Sequence, residues 1–130
     1  MPFMIMDHAA DPRKTLKEEV GDVSQVELFN NQVLVAVYIR PQKTASGIYL
    51  TAQTVDEDKV QSKVGLVLKK GAGAFVDENN TWFNGVDVFE NDWIFFRPSD
   101  GWSITVNNVL CRILDDVNIR GRIDAPDRVW

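Results

Sequence analysis

The stretch from Gln32 to Arg40 reads "QVLVAVYIR", and its alternation decides the fold. Val33, Val35, Val37 and Ile39 fall on one side of an extended chain, and Leu34, Ala36, Tyr38 and Arg40 on the other, because strand side chains project with a period of two. Pro41 follows; it has no N–H to give to a ladder, and the strand ends there. Three further runs share this character. In "KVGLVLKKG" (63–71), Val64, Leu66 and Leu68 alternate with Gly65, Val67 and Lys69. "DWIFFRP" (92–98) is closed by Pro98 and the turn residues Ser99-Asp100-Gly101. "WSITV" (102–106), Asn107-Asn108 and "VLCRIL" (109–114) read as a hairpin. Strands joined by short turns, with almost no helical period after residue 31, predict an all-β chain folded as a small barrel or sandwich.

Residues 1–31 differ from this body. In "ADPRKTLKEEVG" (10–21), Asp11 is a candidate N-cap, Pro12 suits the first helical position and Gly21 is a stop, so a short helix is expected. Its only apolar residues are Leu16 and Val20, too few for a core of their own, and it is expected to lie on the body or on a neighbour. The chain of 130 residues is then one domain. An N-terminal extension covers 1–31, the β-body 32–123, and a C-terminal tail 124–130. Two connections inside the body are long. One runs over 41–63. The other, over 74–90, is rich in Gly and Asn and is expected to hold a hairpin around Asp77–Gly85. Connections beyond roughly 12–15 residues without structure of their own are usually functional or disordered.

Composition removes several classes of function. Fourteen Lys and Arg stand against nineteen Asp and Glu, a net charge of −5. With no basic stripe, a nucleic-acid surface is not expected. The apolar start, Met1–Met6, lacks the basic lead and cleavage site of a signal peptide and is too short to span a bilayer, so no membrane attachment is expected. The single cysteine, Cys111, allows neither an internal disulfide nor a cysteine metal cluster, and its alternating run marks it as a buried structural thiol. The one histidine, His8, lies in the N-terminal tail, a poor base for a nucleophile–histidine device. Asp115-Asp116 and Asp56-Glu57-Asp58 are adjacent residues in polar stretches rather than a spaced acid/base pair. "KKGAGAF" (69–75) lacks the Lys-Ser/Thr ending and the following helix of a phosphate loop. No enzyme activity, cofactor or metal is expected.

Two features point to a partner instead. In "KTASGIYLT" (43–51), the apolar triplet Ile48-Tyr49-Leu50 stands in a long polar connection directly after Gly47. It reads either as a short strand packed on the body or as a segment laid in a partner's groove, where alternate side chains fill pockets. Trp82-Phe83, in the polar tip "ENNTWFNG" (78–85), is a candidate second contact. Trp93 and Trp102 flank one turn and are expected to pack in the core or across the hairpin.

The order of these motifs resembles the GroES-type co-chaperonin family. "QVLVAVYIR" is similar to the family's first core strand and "KTASGIYLT" to its mobile loop. "VGLVLKKGAGAF" is similar to its Gly-x-Val strand with the Gly-x-Gly turn, "VFENDWIFF" to its later strand, with Asn91 in place of a glycine, and "VLCRILDDVNI" to its closing pattern. The resemblance covers roughly residues 32–119. It implies a GroES-like β-barrel and a homo-oligomeric, seven-membered ring that caps a GroEL-type chaperonin and assists protein folding. Carried over by position, Ile48, Tyr49 and Leu50 are its docking residues, Gly47 allows the bend before them, and the 74–90 hairpin is the roof. The resemblance places such a protein in the cytoplasm, that of a host if it is phage-encoded. The alternative is the same fold reused as a phage capsid decoration protein, carried on the virion as a trimer bound to capsid protein.

Overall fold

A computed structural model describes residues 11–39, 51, 62–76, 83 and 88–128. Helix α1 (Pro12–Val20) precedes six strands: β1 (Gln32–Val37), β2 (Val64–Lys70), β3 (Trp93–Phe95), β4 (Trp102–Val106), β5 (Val109–Asp115) and β6 (Gly121–Ile123). Short 3-10 turns follow β5 and β6, at Asp116–Asn118 and Pro126–Arg128. The strands form one antiparallel sheet in the order β4-β5-β1-β2-β3-β6. The fold is thus the small, mostly β architecture that the alternating runs predict, with one short helix.

The sheet curls, and it is apolar on both sides. Val33, Val35, Val67, Val88, Ile94, Phe96 and Leu114 pack inside the curl, with Ala74, Phe75 and Ile119 partly buried against them. Leu34, Ala36, Tyr38, Val64, Leu66, Trp93, Cys111 and Ile113 form the outer cluster. β1 lies between β5 and β2, so every residue from Val33 to Val37 is buried. The 97–101 turn folds in against β5, where the Arg112 guanidinium donates to the Pro98 and Asp100 carbonyls (2.5 and 2.9 Å) and lies 5.4 Å from the Phe96 ring centre. Removal from water pulls the Arg112 pKa down and the Asp100 carboxylate pushes it back up. Between the far strands, Arg120 reaches Asp100 at 3.9 Å. Gly121 sits under the Phe95 ring, where any β-carbon would overlap it.

A bulge in β2 redirects two lysines. Leu34 pairs with Lys69, but Val35 pairs with Val67, so Leu68 is the extra residue. Strict alternation after Val64 and Leu66 would turn Lys69 inward and Lys70 outward. One inserted residue reverses this. Lys69 Nζ bonds the Val23 and Val26 carbonyls of the N-terminal segment on the outer side. Lys70 Nζ bonds the Val88 carbonyl (2.5 Å) and lies near the Phe75 and Phe89 rings.

The N-terminal extension covers the outer face. Asp11 caps α1 through a bond from the Arg13 amide (3.0 Å), Pro12 begins it, and Gly21, at φ 69°, ends it. The helix starts beside the Asn91 turn and ends beside Asn107, whose Nδ2 donates to the Val20 and Asp22 carbonyls (2.6 and 3.2 Å). Residues 21–28 then return along the sheet to Asn30. Val20 is fully buried, and Leu16, Val23, Val26 and Leu28 are half-buried against the outer cluster. At the elbow the Ser24 amide and hydroxyl bond the Asp22 carboxylate and hold its pKa below the usual 3.8. The extension therefore lies on the body of its own chain. Trp93 is buried, edge-on to the Tyr38 ring with centroids 5.7 Å apart. Trp102 departs from the expected core position: it is 58% exposed on the sheet's edge strand, because β3 and β4 are sequence neighbours but not sheet neighbours.

Candidate functional site

The two long connections leave the barrel at opposite ends. β1 runs toward Val37, which pairs with Gly65, and the first connection begins and ends there. Its two limbs are joined where the regular ladder stops. The Tyr38 amide bonds the Val64 carbonyl (3.0 Å), and the Ser62 hydroxyl donates to the carbonyls of Tyr38 (2.7 Å) and Val64 (3.2 Å). Ser62 is almost fully buried, so its hydroxyl takes over a rung that the backbone no longer supplies. The Phe96 amide bonds the Lys63 carbonyl (2.8 Å) and ties the returning limb to β3. Ile48, Tyr49, Leu50 and the preceding Gly47 lie outside the described residues. What is placed is the frame that holds their loop: two limbs pinned side by side at one end of the sheet.

At the other end, a buried carboxylate organises the start of the second connection. Asp116, 4% exposed, accepts from the Phe75 amide (2.9 Å) and from Asn31 Nδ2 (3.0 Å), while its own amide bonds the Asn31 carbonyl (3.0 Å). The amides of Gly71 and Gly73 bond the carbonyls of Gln32 (2.7 Å) and Asn30 (2.8 Å). Phe75 is held at φ 60°, a left-handed backbone that a bulky residue rarely adopts. The returning limb is fixed at Asn91, at φ 74°, by its amide on the Val67 carbonyl (2.8 Å). Trp82 lies outside the described residues. Phe83 is half-buried, edge-on to Phe75 with ring centroids 5.5 Å apart, so one side of this candidate contact residue is already occupied.

The described residues offer little chemistry beyond packing. Among them no group of three or more His, Cys, Asp or Glu side chains could hold a metal ion. No helix among them is long and apolar enough to cross a membrane. Burial pushes the Cys111 thiol up to about 11, which removes it as a nucleophile near neutral pH; a hydrogen bond with the Val106 backbone opposes the shift only in part. A groove between α1 and the Asn91 turn is lined by Asp11, Arg13, Lys14, Lys17, Glu18 and Asn91, charged residues of both signs among them.

Sequence reasoning missed Ser62 and Asp116, which fix the ends of the two long connections. No local signal marks either residue. Ser62 acts on a carbonyl 24 positions away and Asp116 on an amide 41 positions away. Residues 25–123 match the family model described as chaperonin 10 kDa subunit. No curated protein matches the chain.

Proposed function

The chain belongs to the chaperonin 10 kDa subunit family, the co-chaperonins, and from that premise we propose that it forms a ring that caps a GroEL-type chaperonin. Docking runs through Ile48, Tyr49 and Leu50, with Gly47 permitting the bend that presents them. The observation that carries this reading is the pinned mouth of the first connection. Its limbs emerge together at the end of the barrel opposite the Asp116 junction, as a docking loop opposite a roof requires. The second connection, with Trp82 and Phe83, forms that roof.

The energetics suit a ring. Burying an apolar side chain contributes about 1.5–3 kcal/mol, and ordering a flexible loop costs a substantial part of that. One copy of the loop therefore binds weakly. Seven copies on one ring bind tightly, because each docked loop raises the effective concentration of the next. The ring closes through terminal segments of neighbouring copies. β6, which stands last in the sheet order, is the C-terminal strand such closure would use. The protein then acts where its chaperonin acts, in the cytoplasm, and leaves ATP hydrolysis to the partner. No described feature favours the capsid-decoration alternative.

The test mixes the purified protein with a GroEL-type chaperonin and ATP and looks for a co-migrating complex and assisted refolding of a client. The wild type is expected to associate. The Ile48→Ala/Leu50→Ala variant should lose association by 100-fold or more, two buried side chains at roughly 1.4 kcal/mol or more each, and keep an unchanged thermal midpoint. Absence of a wild-type complex, or full binding by the double variant, would sink the proposal.

A further inference from the structure

We infer that residues 11–28 are a releasable strap, which lifts from the outer face as one unit while the six-stranded sheet stays folded. The inference stands independently of the docking reading, because it rests on how this segment is held. Each strand of the sheet is joined to its neighbours by a backbone ladder. The strap shares none. Its backbone bonds among the described residues are internal, from Thr15 to Asp11, Gly21 to Lys17 and Val26 to Val23. Among the described residues, side chains of the body bond this segment at Lys69, on the Val23 and Val26 carbonyls, and at Asn107, on those of Val20 and Asp22. The rest of the attachment is the apolar contact of Leu16, Val20, Val23, Val26 and Leu28 with the outer cluster.

Beyond Leu28 the attachment changes. Asn30 and Asn31 are locked to Gly73 and Asp116 by main-chain and side-chain bonds. Phe29, between the two regimes, is 65% exposed. The boundary between what lifts and what stays therefore falls at Phe29. Elements held by few ordered contacts open at lower free energy than the laddered core. What opening uncovers is specific: Leu34, Ala36, Leu66, Trp93 and Cys111, now at most 2% exposed, on the outside of the barrel. The strap's elbow at Asn107 lies at the sheet end where the limbs of the 41–63 connection emerge, and Tyr38 of that mouth belongs to the same cluster as Val20. Release thus bares an apolar face beside the loop mouth.

The test uses the full chain and its single cysteine. The Cys111 thiolate attacks the disulfide of 5,5′-dithiobis(2-nitrobenzoate), forming a mixed disulfide and releasing thionitrobenzoate, whose absorbance gives the rate. Labelling is measured over low urea concentrations beside global unfolding followed by circular dichroism. The expected result is labelling at least roughly tenfold faster than global unfolding allows, with a weaker urea dependence, since a strap exposes less surface than the whole chain. Leu16→Ala should accelerate it by about tenfold, the equivalent of roughly 1.4 kcal/mol. Ile94→Val, inside the curl, should lower the global midpoint and leave the labelling rate unchanged. A labelling rate that follows global unfolding in its urea dependence overturns the inference. So does equal acceleration by the two variants.

Discussion

The carboxylate of Asp116 joins three segments that are distant in the chain: the turn before β1, the turn after β2 and the end of β5. It is almost fully buried, so each partner it satisfies would otherwise be a polar group hidden from water. Removing one side of such a bond costs about 1–3 kcal/mol for the group left behind. Asp116→Ala abandons the Phe75 amide and the Asn31 side chain together, and urea unfolding should show a loss of about 2–4 kcal/mol. Asp116→Asn keeps one acceptor oxygen and should lose about half as much. Equal losses for the two variants would mean that packing, and not hydrogen bonding, accounts for the residue. Local sequence can show that Asp115-Asp116 follows a strand. It cannot show which of the two carboxylates turns inward, because the partners come from 41 and 85 positions away.

At the scale of elements, β1 and α1 were legible for opposite reasons. β1 shows an unbroken period of two from Val33 to Ile39, stopped by Pro41; that both of its faces are covered appears only in the sheet. α1 carries its own punctuation in Asp11, Pro12 and Gly21. The bulge in β2 was not legible, because "VGLVLKK" alternates smoothly on paper and the extra residue appears only when Leu34 and Val35 choose their partners. Its effect is testable through the adjacent lysines. Lys69→Ala removes the bonds to Val23 and Val26 and should speed Cys111 labelling about tenfold, the equivalent of roughly 1.4 kcal/mol. Lys70→Ala acts on the far side and should leave that rate alone. Equal effects would place both lysines on one side of the sheet. The exposure of Trp102 escaped prediction for a related reason: nearness to Trp93 in sequence did not become pairing in the sheet.

For the molecule as a whole, two cores share one sheet, and the outer one holds the only thiol. Cys111 is fully buried, and its folded-state pKa is raised from 9.0 to about 11. An acid whose pKa is raised by folding keeps its proton longer in the native state than in the unfolded one. Its contribution is whole below about pH 9 and is lost as pH rises toward about 11. The loss is on the order of 2 kcal/mol, at 1.36 kcal/mol per unit. Lysines and tyrosines titrate in the same window, so the measurement is a difference: stability of wild type minus that of Cys111→Ala, taken from pH 8 to 11. The difference should fall with pH. A flat difference would show that the thiol ionises as easily in the folded chain as in the unfolded one.

The opposition of the two long connections also gives the subunit a direction. One end of the barrel carries the pinned limbs at Tyr38 and Ser62, and the other the junction at Asp116. Copies joined head to tail around a rotation axis all point the same way, and such an assembly has cyclic rather than dihedral symmetry. Its two rims are unlike, with every copy of the 41–63 connection on one rim and every copy of the 74–90 connection on the other. A ring of this kind engages a partner from a single side and cannot bridge two partners through the same loops. The polarity of the proposed cap is thus already present in one chain, in the direction of β1.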